Sequence, residues 1–349
     1  IEMRFCQQTI IIILLWSPVF SALGNFNFQH YTVEHGLPGN TIKCFHKDQF
    51  GFLWIGTANG LSQYDGYSFR NFYNNPNDSF SLPNNQVRSI TEDKGGRLWL
   101  GLWGGVAIFH PKTQQFTKVK LSFEQNYDKI HHIFCDSRNR IWISTSSGNY
   151  LFSNEGRLIK HWKKGTGRND LPHSEVVYTQ EDKAGNIWIT GRCGLCRFRE
   201  STLDFEVIPD NNPPYTENNG WLNSVNEGSV GKDGTLWYGS WANGLRRIDP
   251  NTRNYKSWLT KPEFAGHGAF NVISGTAEFD GKIWVASHDQ GLGFLDESQD
   301  KLLFLRDQPS QGYDMPVKFA NVLFADGPVL WIGTPYGVYK YDKRWQLFD

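Results

Sequence analysis

Seven side chains along this 349-residue sequence combine aromatic faces with groups that bind sugar hydroxyls. They are Trp103, Arg192, Trp221, Trp241, His288, Asp289 and Tyr336. The C–H face of a pyranose packs on an aromatic ring, and arginine, histidine and aspartate hydrogen-bond its hydroxyls. An arginine also suits an acidic or sulfated sugar, because its guanidinium forms paired hydrogen bonds with such groups. These residues predict an oligosaccharide-binding surface. The alternative is that the aromatic rings fill the mouth of a channel or pack against a second domain.

Catalytic chemistry has much less support in the sequence. Hydrolysis or elimination needs paired carboxylates, or a nucleophile beside its base. The candidates His131, His132 and Glu227 are scattered, and a lone histidine or glutamate is more often a structural group. Grouped His and Asp spacing typical of a metal site is also missing. The sequence therefore predicts no catalytic residue, no metal and no cofactor, with a hydrolase or lyase kept as the less favoured alternative.

The cysteines point to structure more than to chemistry. Cys44 and Cys135 lie on the predicted inner strands of two different repeats, where a small buried hydrophobe is the simple interpretation. Cys193 and Cys196 have C-x-x-C spacing, but a redox or metal role would need a βαβ context or a second pair of ligands. In an exported protein this spacing leaves open a disulfide across the turn.

A sequence repeat predicts the secondary structure that must position the candidate binding residues. Seven tryptophans recur at intervals of 43 to 49 residues, and we call them the anchors: Trp54, Trp99, Trp142, Trp188, Trp237, Trp284 and Trp331. Self-similarity at this period is typical of solenoids and propellers. Each repeat holds four short alternating runs bounded by turn residues, which is the pattern of a propeller blade. The sequence predicts an all-β, seven-bladed β-propeller over residues 25–349, with the anchors buried between blades.

Each anchor sits in the pattern D-x-x-G-x-L-W-I-G-T-x-x-G-L, which predicts two hairpin turns around a half-buried strand. The position four residues after each anchor falls in the turn between the second and third strands. That set is Ala58, Trp103, Ser146, Arg192, Trp241, His288 and Pro335. Asp289 and Tyr336 follow directly on this rim, and Trp221 lies in the inter-blade loop 207–223. All seven candidate binding residues are therefore expected on one face.

A propeller must also join its last blade to its first. Residues 26–32 and 343–348 both have the pattern of an outermost strand, which gives eight candidates for seven blades. We predict that residues 26–32 complete the seventh blade. Residues 343–348 would then be a surplus strand, such as the first strand of a following domain.

Charge and the N-terminal segment bear on location. Lys+Arg and Asp+Glu are both 35, so the net charge of zero argues against a nucleic-acid binder, which gains its affinity from phosphate neutralisation. Residues 1–24 combine Arg4, an apolar run over 10–16 and small residues near Ala22. This is the pattern of a secretory signal peptide, too short to span a bilayer well. We expect export to the periplasm.

The motif G-L-P-x-N, followed by D-x-x-G-x-L-W-I-G-T-x-x-G-L-x-x-Y-D and F-x-x-F, resembles the two-component-regulator propeller repeat, most fully over residues 36–72. The resemblance implies a periplasmic sensor region of a Bacteroidetes-type hybrid two-component system that responds to glycan breakdown products. Such receptors typically add a second propeller, a β-sandwich, a membrane helix and a histidine kinase, none of which this sequence contains. It therefore looks like the N-terminal sensory fragment of a receptor or a truncated relative.

The resemblance also implies partners. These are an oligosaccharide, an adjoining propeller or sandwich domain of the full-length receptor, and a second copy in a homodimer. The main alternative is an interaction or dimerisation scaffold that binds protein and no small ligand.

Overall fold

The computed structural model describes residues 26–119, 129–167, 170–208, 225–241, 243–260, 271–307 and 318–347, with the backbone alone at 225–227 and 346–347. The predicted signal peptide 1–24 and Trp221 lie outside the described residues. Within the described part of the chain, no helix is both long and apolar enough to traverse a bilayer. The helical segments there are short 3₁₀ turns, at Val33–His35, Leu305–Asp307 and Lys343–Leu347.

The strands form seven four-stranded antiparallel sheets, and we number these blades one to seven along the chain. Blade one contains β2 (Ile42–Lys47), β3 (Leu53–Thr57), β4 (Gly60–Tyr64) and β5 (Phe69–Phe72). Blade two contains β6 (Val87–Glu92), β7 (Leu98–Leu102), β8 (Gly105–His110) and β9 (Gln115–Val119). Blade three contains β10 (Ile130–Cys135), β11 (Ile141–Thr145), β12 (Gly148–Phe152) and β13 (Leu158–Trp162). Blade four contains β14 (Val176–Glu181), β15 (Ile187–Gly191), β16 (Gly194–Arg199) and β17 (Asp204–Val207).

The remaining three blades follow the same order. Blade five contains β18 (Val225–Val230), β19 (Leu236–Ser240), β20 (Leu245–Ile248) and β21 (Tyr255–Trp258). Blade six contains β22 (Ile273–Phe279), β23 (Lys282–Ser287), β24 (Gly291–Asp296) and β25 (Lys301–Phe304). Blade seven contains β26 (Val322–Asp326), β27 (Val329–Thr334), β28 (Gly337–Asp342) and β1 (Phe28–Tyr31). The first strand of each blade packs against the first strand of the next, and β26 packs against β2, so the ring is closed. The predicted seven-bladed propeller is confirmed.

The anchors explain why each repeat folds into a blade. All seven are at most 5% exposed, in second strands that are buried along their length. Four of them donate from the indole Nε1 to the aspartate six residues earlier, at 2.8–2.9 Å: Trp54 to Asp48, Trp99 to Asp93, Trp142 to Asp136 and Trp188 to Asp182. The other oxygen of each aspartate accepts backbone N–H groups of the turn. One side chain therefore fixes both the hairpin and the indole.

The N-terminal strand closes the ring, as predicted for residues 26–32. β1 pairs antiparallel with β28, with Phe28 opposite Tyr341 and Tyr31 opposite Val338. The ring of His30 stacks on that of Tyr339, with centroids 4.1 Å apart and an interplanar angle of 8°. These aromatic contacts add packing energy to the backbone pairing.

The expectation of a surplus strand at the C-terminus is wrong. Residues Lys343–Leu347 form a 3₁₀ helix. The two edges of β28 pair with β27 and β1, so β28 has no edge left with which residues 343–347 could pair. Arg344 turns back instead, and its Nε donates to Asp342 Oδ1 at 2.8 Å.

Candidate ligand-binding site at the channel mouth

The innermost strands enclose a channel with a cavity of about 660 Å³. Residues from the first strand of every blade line it, together with Trp241 and His288. Because successive strands are antiparallel, the turns between second and third strands lie at the end where the innermost strands begin. The connections between blades lie at that end too, and we call it the entry face. The turns between first and second strands lie on the opposite face.

A β-bulge interrupts six of the seven innermost strands near the entry face. The register shifts between Ile42 and Cys44 in blade one, and at the equivalent place in blades two to six. A bulge leaves one residue unpaired and re-aims its side chain. The single bulged residues of five of these blades all line the channel: Lys43, Arg88, His131, Val177 and Ser274.

Trp241 and His288 form one wall of the mouth. Their ring centroids are 5.8 Å apart at an interplanar angle of 87°, and Trp241 keeps 37% of its surface exposed. Burial and the nearby charge of Lys43 lower the pKa of His288 against the opposing effect of Asp289. The imidazole is therefore neutral at physiological pH and offers one donor and one acceptor.

Trp103 and Arg88 form a second pair, on blade two. The guanidinium carbon of Arg88 lies 5.2 Å from the Trp103 ring centroid, a cation–π contact, and Trp103 is 48% exposed. Arg88 Nη1 donates to the Ile130 carbonyl at 3.4 Å, while its buried Nε has no hydrogen-bond partner among the described residues. The backbone N–H of Trp103 donates to Gln86 O at 3.1 Å, which fixes the turn.

Arg192, Asp289 and Tyr336 are held by local contacts and, like Trp103, are not among the described residues that line the cavity. Arg192 Nη1 lies 3.6 Å from Glu175 Oε2. Asp289 accepts from Ser287 Oγ at 2.9 Å and from Gln290 Nε2 at 2.8 Å, so its carboxylate stabilises its own turn. Tyr336 is 54% exposed on blade seven, and its carbonyl lies 3.0 Å from His30 Nε2. Trp221 is outside the described residues. Binding by all seven candidate residues stays a prediction.

The candidate catalytic histidines line the channel but are poor proton acceptors. Burial lowers the pKa of His132 to about 3. Burial, with the charges of Lys129 and Arg88, lowers the pKa of His131 to about 3 as well. The Thr179 N–H donates to His132 Nδ1 at 3.3 Å, as a neutral ring requires. Glu227 is in β18, and its side chain lies outside the described residues. The described residues contain no group of three or more His, Cys, Asp or Glu that could hold a metal ion.

Cys193 and Cys196 are both free thiols in the structure, so the disulfide left open by their spacing is not formed. Both are buried, and Cys196 Sγ lies 3.6 Å from the Cys193 carbonyl. The hydrogen bond with Cys193 and burial together raise the pKa of Cys196 well above its usual range, which makes it unreactive.

The structure adds a group of cations that the sequence reasoning missed. Lys43 and Arg88 line the channel, and Lys129 lies close enough to lower the pKa of both Lys43 and His131 by its charge. For Lys43 and Arg88, though not for Lys129, the sequence contains a signal. Lys43, Arg88 and His131 each stand eleven residues before their anchor, at the bulged position of blades one to three.

Parts of this chain are similar to known proteins. The family model described as "two component regulator propeller" matches residues 36–59 and 81–104. These two segments lie in the first halves of the repeats that form blades one and two, and over them the resemblance read from the sequence motifs is confirmed. A segment of 57 residues, 16% of the chain, is 40% identical to histidine kinase P4 of Formosa agariphila and covers 4% of that protein.

Solved structures with similar folds include two extracellular domains of regulatory systems from B. thetaiotaomicron. One is described as belonging to a hybrid two-component system; it is 20% identical with a TM-score of 0.71, over 91% of this chain and 42% of the other. The second is 21% identical with a TM-score of 0.70, over 90% and 39%. The chain thus spans about two fifths of their length. Virginiamycin B lyase of Staphylococcus aureus is 13% identical with a TM-score of 0.68, over 91% of this chain and 99% of the lyase. At these identities the likeness shows the fold alone.

Proposed function

We propose that this chain is the ligand-sensing propeller of a periplasmic receptor, part of a hybrid two-component sensor histidine kinase, and that it recognises oligosaccharides from polysaccharide breakdown. The observation that carries the proposal is the pair of exposed indoles, Trp241 and Trp103, on the entry face. The repeat family and the fold of the B. thetaiotaomicron extracellular domains support the sensory role.

The geometry of the mouth suits a sugar. An exposed tryptophan that is held rigidly gives a pyranose ring a flat apolar surface at low cost in side-chain entropy. His288, held against Trp241, supplies a neutral donor and acceptor for hydroxyl groups. The cavity of about 660 Å³ lies within the range of small-molecule binding pockets.

Propellers transmit binding through their neighbours, since a closed ring of blades has little freedom to change its own shape. We therefore propose that the chain contacts an adjoining propeller or sandwich domain of the receptor, and a second copy in a homodimer. Phosphotransfer belongs to other parts of such a receptor, and no residue of this propeller is assigned to it.

The test is isothermal titration of the purified chain against a panel of neutral and acidic oligosaccharides, with the variants Trp241→Ala and Trp103→Ala. Loss of an aromatic stacking platform should weaken binding about tenfold while the unfolding temperature stays within a few degrees. Tyr67→Ala is the matched control, because Tyr67 is 97% exposed in a turn on the opposite face.

The outcomes separate the alternatives. If no oligosaccharide binds the folded chain, or if both tryptophan variants bind like the parent, the sensor proposal is wrong. Binding of a receptor fragment with no glycan binding would favour the scaffold. Conversion of a glycan in the titration cell would favour a hydrolase or lyase.

A further inference from the structure

We infer that the channel mouth contains an anion subsite, formed by Lys43, Arg88 and Lys129, that binds the carboxylate or sulfate group of an acidic oligosaccharide. This inference rests on the proposed function and names the class of ligand. The sequence reasoning considered an acidic sugar only through Arg192, which the structure places 3.6 Å from Glu175 and off the described channel wall.

The bulges bring two of the cations together. Lys43 and Arg88 are 45 residues apart in the sequence, yet they occupy the same bulged position in adjacent blades. In a regular strand the alternation of side chains would govern their direction, whereas a bulge re-aims the unpaired residue. Both side chains line the cavity.

Charge is distributed unevenly along the channel, with positive groups at one end and a negative group at the other. Among the described residues that line it, the charged side chains apart from histidine are Lys43, Arg88 and Glu278. The two cations lie at the start of their strands, near the entry face, and Glu278 lies near the end of β22. Glu278 Oε2 also accepts the Lys232 backbone N–H at 2.6 Å, so it is engaged on the opposite face.

Two carboxylates approach the cluster from neighbouring loops. Glu175 lies 3.6 Å from both His131 Nε2 and Arg192 Nη1, and its charge acts on Lys129. The charge of Asp289 acts to raise the pKa of His288, and the carboxylate is hydrogen-bonded within its own turn. The described groups named here are therefore four cations, with Arg192 included, and two carboxylates, which is an excess of positive charge among these residues.

Geometry places the three cations near one another, because Lys129 forms an isolated β-bridge with Trp103, the Trp103 ring contacts Arg88, and Arg88 lines the channel with Lys43. Burial lowers the pKa of Lys43, and the charges of Arg88 and Lys129 lower it further. The pKa of Lys129 is lowered by burial and by Arg88, against the effect of Glu175. A bound anion would relieve the repulsion between these positive charges.

The aromatic walls favour a saccharide over a bare anion. Trp103 packs on the guanidinium of Arg88 at 5.2 Å and presents its remaining exposed surface beside it. Trp241 lies across the mouth with His288. A ligand that carries a fixed negative charge on a ring with an apolar C–H face would satisfy both features at once.

The test compares oligosaccharides that differ only in charge. Oligogalacturonides are titrated beside their methyl esters, and sulfated disaccharides beside their desulfated forms, with inorganic sulfate alone as the bare-anion probe. We expect at least one acidic member to bind about tenfold more tightly than its neutral counterpart, with a preference that falls as salt rises. Arg88→Gln and Lys43→Gln should each remove most of this preference. Lys118→Gln, the same charge change on the exposed outer strand β9, should preserve it.

The titrations distinguish failure of the anion subsite from failure of the sensor proposal. Equal binding of charged and neutral partners, or a preference that survives Arg88→Gln and Lys43→Gln in folded protein, overturns the anion subsite and leaves the saccharide sensor standing. Inorganic sulfate that binds as tightly as any acidic glycan shows a bare anion site and also overturns the inference. Absence of binding to every glycan overturns the sensor proposal itself. Circular dichroism of each variant checks folding, and Lys43→Gln provides a readable variant if Arg88→Gln unfolds.

Discussion

The guanidinium of Arg88 lies over the indole of Trp103, 5.2 Å from its ring centroid. Trp103 is one of the binding residues predicted from the repeat, whereas Arg88 is not among the predicted binding residues. Their contact joins a turn on the entry face to a bulged strand inside the channel. The indole therefore has two roles in the proposed site, as a sugar platform and as the support that orients a cation.

Replacing Trp103 by leucine should loosen Arg88, whereas phenylalanine should keep part of the cation–π contact. A cation–π pair at an exposed site contributes about 0.5–1 kcal/mol, so affinity for an acidic oligosaccharide should fall about two- to fivefold more in Trp103→Leu than in Trp103→Phe. Titration calorimetry measures the difference. Identical affinities for the two variants would show that the ring does not position Arg88.

Lys43 and Lys129 should react unusually fast with amine-acylating reagents near pH 8. Both have a lowered pKa, so a larger fraction of each amine is neutral and nucleophilic at a given pH. Mass spectrometry of peptides after limited acetylation compares them with exposed Lys118 of β9. Protection of Lys43 by an acidic glycan would support the subsite, and rates equal to that of Lys118 would contradict the electrostatic picture.

Asp93→Ala should destabilise the fold strongly. The carboxylate accepts from Trp99 Nε1 at 2.9 Å and from the backbone N–H groups of Gly95 and Arg97. Leaving a buried donor unsatisfied costs about 1–3 kcal/mol, and the indole alone is one such donor. Urea unfolding provides the measurement, and Asp249→Ala in an exposed turn is the control. A loss no greater than that of the control would mean that the indole finds another partner.

The same aspartate should contribute to acid sensitivity. Burial acts to raise the pKa of Asp93, but hydrogen bonds from Trp99 and Arg97, and the charge of Arg97, outweigh it and hold the pKa below its usual value. Its stabilising effect is present above the unfolded pKa of about 3.9 and is lost as pH falls through the lower folded pKa. The stability gap between the parent and Asp93→Ala should therefore narrow below about pH 4. Urea titrations from pH 7 to pH 3 test this, and a gap independent of pH would refute it.

Removal of β1 should open the ring. Deleting residues 1–31 leaves the edge of β28 unpaired and removes the stacking of His30 on Tyr339. We expect a lower unfolding midpoint and a less cooperative transition than after deletion of residues 1–25, which keeps the strand. Equal stability of the two truncated chains would show that this strand does not hold the ring closed.

Much of the fold could be predicted because a propeller is built from local units. Asp93, Trp99 and the glycines of the adjoining turns specify the central hairpin of one blade over residues 93–105, and seven such repeats specify the ring. The choice between 26–32 and 343–348 was harder, since both segments have strand composition. The structure confirms the first, whereas Lys343–Leu347 form a 3₁₀ helix, because one edge of β28 accepts only one partner.

The candidate site was predicted in part. Trp241, His288 and Trp103 occupy the entry face because their distance from an anchor fixes the turn in which they stand. The structure ties Asp289 to its own turn, a local hydrogen-bonding choice that spacing does not reveal.

The sequence by itself determined the blade count, the buried anchors and the face on which the second-to-third turns emerge, since these depend on spacing within one repeat. Only the tertiary structure decided that Lys43 and Arg88 line the channel near its entry face, with Lys129 bridged to Trp103 beside Arg88. Their proximity depends on how neighbouring blades pack around the ring, and for Lys43 and Arg88 the direction of the side chain depends on a bulge that breaks strand alternation. Periodicity records position within a blade, whereas contact between blades is a property of the assembled ring.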